Sequence, residues 1–174
     1  VLQMPATTIF VNGGGAGQAV LAFDKADGKL VWKGGDDSPT HASPVLATIH
    51  GVRQVIFFTQ PGLVAAEAGT GRELWRFPFP YSISTASSPI VSGDIVYCSA
   101  GYGVGAGACR ITKTGDKFSA AELWRQSGKL MNHWTTPVLR DGYLYGIYGF
   151  KEFGTAPLKC VEIATGREVW SKPG

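Results

Sequence analysis

One segment of eleven residues occurs three times in this chain and once more in a lengthened form, and this repetition constrains the fold more than any other feature. Each complete copy begins with a small residue, places a glycine six positions later and a tryptophan ten positions later. The complete copies span residues 22–32, 65–75 and 160–170. The lengthened copy runs from Cys109 to Gly115 with the same spacing and then adds five residues before Trp124.

Each copy has the pattern of a β-hairpin. Asp-Gly or Thr-Gly separates two runs rich in Val, Leu, Ile and Trp, and glycine readily adopts the positive φ that tight hairpin turns require. The predicted structural positions of the repeat are the glycines Gly28, Gly71, Gly115 and Gly166 and the tryptophans Trp32, Trp75, Trp124 and Trp170. We expect the four tryptophans to pack between neighbouring repeats.

A second repeated element precedes the last three hairpins. A proline opens an apolar run, a short turn follows, and another apolar run comes next; the prolines are Pro44, Pro89 and Pro137. Proline cannot donate a hydrogen bond to a β-ladder, so it belongs at the first residue of a strand. Each repeat therefore predicts four strands, A to D, followed by a longer connection.

Four short strands and a recurrent tryptophan in each repeat predict an all-β chain built from β-propeller blades. The residues resemble the quinoprotein-type, or PQQ-like, repeat, whose tryptophan-docking blades carry the pattern Ala-x-Asp-x-x-x-Gly-x-x-x-Trp. The first copy matches fully, Glu67 and Glu162 replace the acidic residue in the second and fourth copies, and Ile111 stands there in the third. The resemblance extends to bacterial BamB-type envelope scaffolds, and it implies a fold more directly than an activity.

The predicted fold is a single partial β-propeller domain, residues 1–174, with four blades at about 1–34, 41–77, 85–126 and 133–172. Strand A of the first blade must come from residues 1–4 or from elsewhere. Four blades are about half of a ring of seven or eight. We therefore expect either the remainder of the propeller or a second copy to close the ring. The end faces would then be apolar, with residues such as Ile9, Val11, Leu144 and Ile147.

Composition excludes several classes of function. The net charge is +3 and the basic residues are scattered singly, so the sequence does not predict a nucleic-acid partner. No run of 18 apolar residues is present, and a membrane-spanning helix is therefore not predicted. The sequence begins at Val1 without a signal-peptide pattern and is interpreted as an internal piece or a processed product. The resemblance implies a periplasmic or exported bacterial protein.

The three cysteines allow two interpretations. Cys109 and Cys160 are placed at the same repeat position, which holds Ala22 and Ala65 in the other copies, and this favours small buried packing residues. Cys98 and Cys109 lie on predicted neighbouring strands, so a disulfide between them is the alternative. No Cys-x-x-Cys motif is present, and a zinc or redox motif is therefore not predicted.

Candidate ligand-binding residues lie in the connections at one face of the predicted ring, where loops on a rigid scaffold usually carry function. His41 and His133 are placed at equivalent positions before strand A of blades two and four, with Thr85 near the same place in blade three. Asn132 and Trp134 flank His133, and Tyr102 lies in a glycine-rich B–C loop. The alternatives are that the histidines bond to neighbouring backbone and that Trp134 packs beneath the loop.

Two functions follow from this pattern. The first is a non-catalytic binding or scaffold module that uses its loop-rich face or a blade edge to contact a ligand or a protein, with no catalytic residue, no metal site and no evident cofactor. The second is part of a PQQ-dependent alcohol or sugar dehydrogenase, with PQQ and calcium, whose other site residues lie outside the chain. The resemblance implies that such a dehydrogenase has adjacent cysteines, which this chain lacks. Asp36, Asp37 and Asn132 are the residues placed to resemble part of the calcium site.

Overall fold

A computed structural model describes residues 7–149 and 156–174. Within these residues the regular structure consists of fifteen β-strands in four antiparallel sheets that follow one another along the chain. The predicted strand A at residues 1–4 lies outside the described residues. The described part of the first sheet has three strands, and each of the other three sheets has four.

Neighbours in sequence are neighbours in every sheet, so each sheet is a simple meander. The first sheet consists of β1 (Thr8–Asn12), β2 (Val20–Asp24) and β3 (Leu30–Gly34). The second consists of β4 (Val45–Ile49), β5 (Val52–Thr59), β6 (Gly62–Glu67) and β7 (Glu73–Pro78). The third consists of β8 (Ile90–Ser92), β9 (Ile95–Ala100), β10 (Gly105–Thr114) and β11 (Lys117–Ser127). The fourth consists of β12 (Val138–Arg140), β13 (Tyr143–Ile147), β14 (Leu158–Glu162) and β15 (Glu168–Lys172).

The four meanders stack face to face, as the blades of a β-propeller do, and the chain is part of such a propeller. Alternate residues of a strand point to opposite faces. In β5, Val55 and Phe57 pack with Trp32 of the first sheet, whereas Ile56 and Phe58 join the core shared with the third sheet. Because β5 is buried on both faces, its residues 55–58 form a continuous apolar run.

A β-bulge recurs at the same place in all four sheets and fixes the alignment of the repeats. Strand pairing sets Ala22 opposite Trp32, Ala65 opposite Trp75 and Cys160 opposite Trp170, and the bulge follows immediately. In the third sheet the residue opposite Trp124 is Ala108. The predicted equivalence of Cys109 and Cys160 is therefore wrong by one residue.

The same register moves the other repeat positions of the third sheet. The acidic position, held by Asp24, Glu67 and Glu162 in the other sheets, is occupied by Arg110 rather than by Ile111. With Ala108 opposite Trp124 the β10–β11 hairpin has six extra residues rather than five, and Gly115 lies at its tip, where an added Cβ would meet no atom within 4 Å. Gly115 therefore does not lie against a neighbouring tryptophan.

Two joints between sheets share one arrangement. The indole Nε1 of Trp32 donates to the carbonyl oxygen of Ala68 at 3.0 Å, and its ring lies against Gly71 of the second sheet. Likewise Nε1 of Trp124 donates to the carbonyl oxygen of Ile163 at 2.9 Å, and its ring lies against Gly166 of the fourth sheet. Glycine is needed here, because a Cβ would lie within 2.7 Å of the indole.

The joint between the second and third sheets uses a different donor. The carbonyl oxygen of Ile111 is equivalent to those of Ala68 and Ile163, because all three residues donate their backbone N–H to a carbonyl in or next to the turn between the first two strands of their sheet. His50 Nε2 lies 2.8 Å from this oxygen. A carbonyl only accepts, so Nε2 carries the proton. Trp75 instead donates to Oε1 of Gln54 in its own sheet at 2.7 Å.

The two end faces of the stack are apolar and partly exposed. Ile9 and Val11 lie on the outward face of the first sheet, and Ile147, Leu158 and Trp170 lie on that of the fourth. The prediction that Leu144 belongs to this surface is wrong. Leu144 is fully buried against the third sheet. It lies three positions before Ile147 on β13, and residues an odd number of positions apart point to opposite faces of a strand.

Within the described residues no helix is long and apolar enough to cross a membrane.

Candidate functional site at the inner rim

The segments that precede β4, β8 and β12 approach one another and form a surface that we call the inner rim. The backbone N–H of His41 donates to the carbonyl oxygen of Thr85 at 3.0 Å. The N–H groups of Ala86 and Ser87 in turn donate to the carbonyl oxygen of His133, at 2.8 and 3.1 Å. These bonds join one edge of the second, third and fourth sheets at the inner rim.

This pattern corrects the predicted equivalence of the two histidines. Thr40, Thr85 and His133 each lie four residues before the proline that opens their sheet, and all three are buried. His41 is one residue further along and is therefore equivalent to Ala86 and Trp134. Counting back from these prolines in the sequence gives the same alignment.

Side chains of the buried layer bind the end of the second strand of their own sheet. The hydroxyl of Thr40 donates to the carbonyl oxygen of Phe58 at 2.5 Å, and that of Thr85 donates to the carbonyl oxygen of Ser99 at 3.1 Å. In the fourth sheet the amide of Asn132 donates to the carbonyl oxygen of Ile147 at 2.7 Å. A buried carbonyl without a partner is costly, so these side chains hold the rim in place.

The structure gives Asn132 a role inside the molecule. Its side chain is 1% exposed, its Oδ1 accepts a hydrogen bond from the hydroxyl of Tyr97 at 2.7 Å, and its backbone N–H donates to Oγ of Ser99 at 2.8 Å. With the bond to β13, both ends of the amide are used by the protein. We therefore interpret Asn132 as a residue that positions the rim beneath the surface.

His133, Trp134 and Tyr102 come together at the rim. The rings of His133 and Trp134 have centroids 4.1 Å apart with a tilt of 34°, and the ring of Tyr102 meets His133 edge-on at 4.7 Å. His133 is buried, whereas Trp134 is 67% exposed. The alternative in which Trp134 packs beneath the loop is therefore wrong, because the indole lies on top of the buried imidazole.

His41 lies on the exposed side of the rim and belongs to the neighbouring sheet. Its Nδ1 is 3.1 Å from Oγ of Ser84, and no contact with His133 is found among the described residues. Ile83, in the same connection as Ser84, is 69% exposed. The exposed rim thus carries an indole, an imidazole and an aliphatic side chain.

The two acidic candidates bind different partners. Oδ1 of Asp36 accepts the backbone N–H of Gly17 at 2.7 Å. Oδ2 of Asp37 accepts from Arg76 at 2.7 Å and from the hydroxyl of Thr59 at 3.1 Å. Asn132 is bonded inside the molecule, and no bond between any two of these three side chains is found among the described residues. No group of three potential metal ligands is found in the part of the chain that the structure describes.

The cysteines contribute to the core between the second and third sheets. Cys98 and Cys109 are fully buried free thiols, and Cys160 is a buried free thiol on the fourth sheet. Burial raises the pKa of the Cys98 thiol well above its usual value and raises that of Cys109 to about 12. A thiol that stays protonated is a poor nucleophile. Cys98 and Cys109 are therefore packing residues in this structure.

Comparison with known proteins identifies the repeat. A model of the family described as outer membrane protein assembly factor BamB matches residues 3–172. No curated protein matches the chain.

Three solved structures share the fold at low sequence identity. The quinohemoprotein alcohol dehydrogenase from Comamonas testosteroni is 15% identical with a TM-score of 0.66, over 95% of this chain and 33% of that one. BamB from Moraxella catarrhalis is 15% identical with a TM-score of 0.53, over 97% of this chain and 51% of that one. A europium-containing methanol dehydrogenase is 16% identical with a TM-score of 0.56, over 89% and 40%. The chain thus spans between a third and about half of these proteins.

Proposed function

Because the chain belongs to the family of the outer membrane protein assembly factor BamB, we propose that it is a non-catalytic β-propeller module that binds a protein of outer-membrane assembly at its inner rim. An exported, periplasmic location in a bacterium follows from the same proposal. The tryptophan contacts with Gly71 and Gly166 would then belong to the tryptophan-docking pattern of the repeat, whose role is architectural.

The observation that carries the proposal is the exposed Trp134. A large aromatic side chain 67% open to solvent costs free energy in isolation, and tryptophan is enriched among the residues that dominate protein interfaces. Its indole is held by the buried ring of His133 below, so little side-chain entropy remains to be lost on binding. The exposed Ile83 and His41 extend the same surface.

Site-specific photo-crosslinking tests this proposal. A photoreactive residue would replace Trp134 in the full-length protein within its native envelope. A matched control would carry it at Lys117, the first residue of β11, at the end of the β10–β11 hairpin away from the rim. We expect a crosslink to an outer-membrane assembly protein from position 134 and none from position 117. Equal crosslinking from both positions, or none from position 134, would refute the rim as the binding surface.

The alternative function is part of a PQQ-dependent alcohol or sugar dehydrogenase, and two of the similar structures are alcohol and methanol dehydrogenases. Against it stand the separate bonding of Asp36 and Asp37 and the internal role of Asn132. Asn132 is buried and bonded at both ends of its amide, so it would have to give up these bonds to ligate a metal. The scaffold proposal requires no such change.

We also propose that further blades, from the same protein or from a second copy, cover the two apolar end faces. Trp170 is 38% exposed with its ring 6.1 Å from that of Tyr145, whereas the equivalent Trp32 is buried by the next sheet. Sedimentation of the 174-residue chain tests this proposal. We expect a species heavier than 18.5 kDa. A folded monodisperse monomer would contradict it.

A further inference from the structure

Equivalent clefts lie beside the two joints in which tryptophan packs on glycine, and they differ in size and charge. One lies between the first and second sheets, next to Gly71, and encloses about 30 Å³. The other lies between the third and fourth sheets, next to Gly166, and encloses about 360 Å³. Because the two clefts occupy the same place in the repeat, the residues that line them can be compared position by position.

Ion pairs close the smaller cleft. Arg76 on β7 reaches Oδ2 of Asp37 at 2.7 Å and Oε2 of Glu73 at 2.8 Å, so its guanidinium spans the gap between the first and second sheets. Hydrogen bonding to Glu73, with a further contribution from Asp37, raises the pKa of Arg76. The cation and both carboxylates that line this cleft are therefore engaged with one another.

Two substitutions open the larger cleft. Strand pairing shows that Arg76 lies opposite Val64 and that the equivalent pair is Ser171 and Lys159. Ser171 is too short to span the cleft. Lys129 lies five residues after Trp124, as Asp37 lies five residues after Trp32, so a lysine replaces the carboxylate that Arg76 binds.

The larger cleft is consequently basic. It is lined by Lys129, Lys159 and Arg167, against the carboxylate of Glu168. Lys159 pairs with Glu168 at 2.6 Å, and Arg167 lies 3.3 Å from Glu162. No ion pair of Lys129 is found among the described residues.

We propose that this cleft is a binding site for a small molecule that carries a carboxylate or a phosphate group. A volume of about 360 Å³ lies within the range of small-molecule sites. Lys129 supplies the ammonium group for the anion, with Arg167 and Lys159 beside it. The remaining lining includes Leu130, Met131 and Pro157, which would contact the less polar part of the ligand. The site is independent of the protein contact proposed for Trp134.

Isothermal titration of the full-length protein with inorganic phosphate and with succinate, at constant ionic strength, tests the proposal and separates the two anion types. We expect saturable one-to-one binding of at least one of them. Lys129→Ala should weaken it by about tenfold, the usual effect of losing a charge-assisted contact. The double variant K129D/S171R rebuilds the ion-pair arrangement of the smaller cleft and should abolish binding while the near-UV circular dichroism stays native.

Arg140→Ala is the matched control, because it removes one exposed cation of the fourth sheet that does not line the cleft. It should leave the affinity within about twofold. Absence of saturable binding of both anions to the unaltered protein would overturn the proposal. An equal loss of affinity in Arg140→Ala and Lys129→Ala would also overturn it, since it would show attraction by net charge rather than a site.

Discussion

Substituting the repeat glycines by alanine isolates the contribution of the tryptophan–glycine contact. Gly71 has φ of +73°, and an added Cβ would lie 2.6 Å from Cδ2 of Trp32. Gly51 in the same sheet has φ of +75°, but its Cβ would meet no atom within 4 Å. The two substitutions therefore share the cost of a positive φ and differ in the steric contact.

The expected loss in the free energy of unfolding is the sum of these two contributions. Placing alanine at a left-handed φ costs about 1–2 kcal/mol, and this applies to both variants. The indole of Trp32 is buried between the rings of Phe10 and Phe57, whose centroids lie 5.8 and 6.4 Å from its own, so it cannot move away freely. Overpacking of this kind costs about 1–3 kcal/mol. Gly71→Ala should thus destabilise by about 2–5 kcal/mol and Gly51→Ala by about 1–2 kcal/mol.

Urea unfolding followed by circular dichroism measures the difference. The fourth sheet supplies an independent pair, because a Cβ at Gly166 would lie 2.7 Å from Trp124 whereas Gly142 is open. Gly166→Ala should again be the more destabilising of the two. Equal losses within either pair would refute the claim that the glycine is required by the indole.

Three further predictions concern single side chains. Trp75→Ala should destabilise by about 3–5 kcal/mol and Trp134→Ala by less than about 0.5 kcal/mol in urea unfolding, since one indole is buried and the other exposed; equal losses would contradict this difference. In His50→Asn the new residue tolerates the left-handed backbone of the turn but cannot make the bond to the third sheet. The free energy of unfolding should therefore fall by about 1 kcal/mol, whereas His41→Asn should leave it unchanged. Burial raises the pKa of Cys109 from its ordinary value of 9.0 to about 12, so above pH 9 the unfolded state loses this proton first. The free energy of unfolding should therefore fall from pH 9 to about pH 12, less steeply in Cys109→Ala; an unchanged slope would contradict the buried thiol.

The sequence predicted the strands and sheets well because the repeat is defined by local chemistry. Apolar runs separated by glycine turns specify hairpins, and a proline directly before the second, third and fourth sheets marks the first strand of each. The register of the third sheet was not predictable in the same way. Counting back from Gly115 misplaces Cys109 by one residue, because the extra residues lengthen the hairpin and the bulge stays opposite Trp124.

The inner rim was predicted only in part. The sequence singled out His133 and Trp134, but it did not show that one is buried and the other exposed. That distinction depends on backbone bonds between sheets, such as that from Ala86 to His133, over 47 residues of sequence. His50 was missed for the same reason, since its bond to Ile111 joins residues 61 positions apart and leaves no local pattern.

The central claim, a binding module rather than a quinoprotein dehydrogenase, is tested most directly by titrating the full-length protein with PQQ in the presence of calcium and recording the absorbance of the quinone. The separate bonding of Asp36, Asp37 and Asn132 predicts no saturable change in the spectrum. A saturable, one-to-one change that depends on calcium would contradict the account.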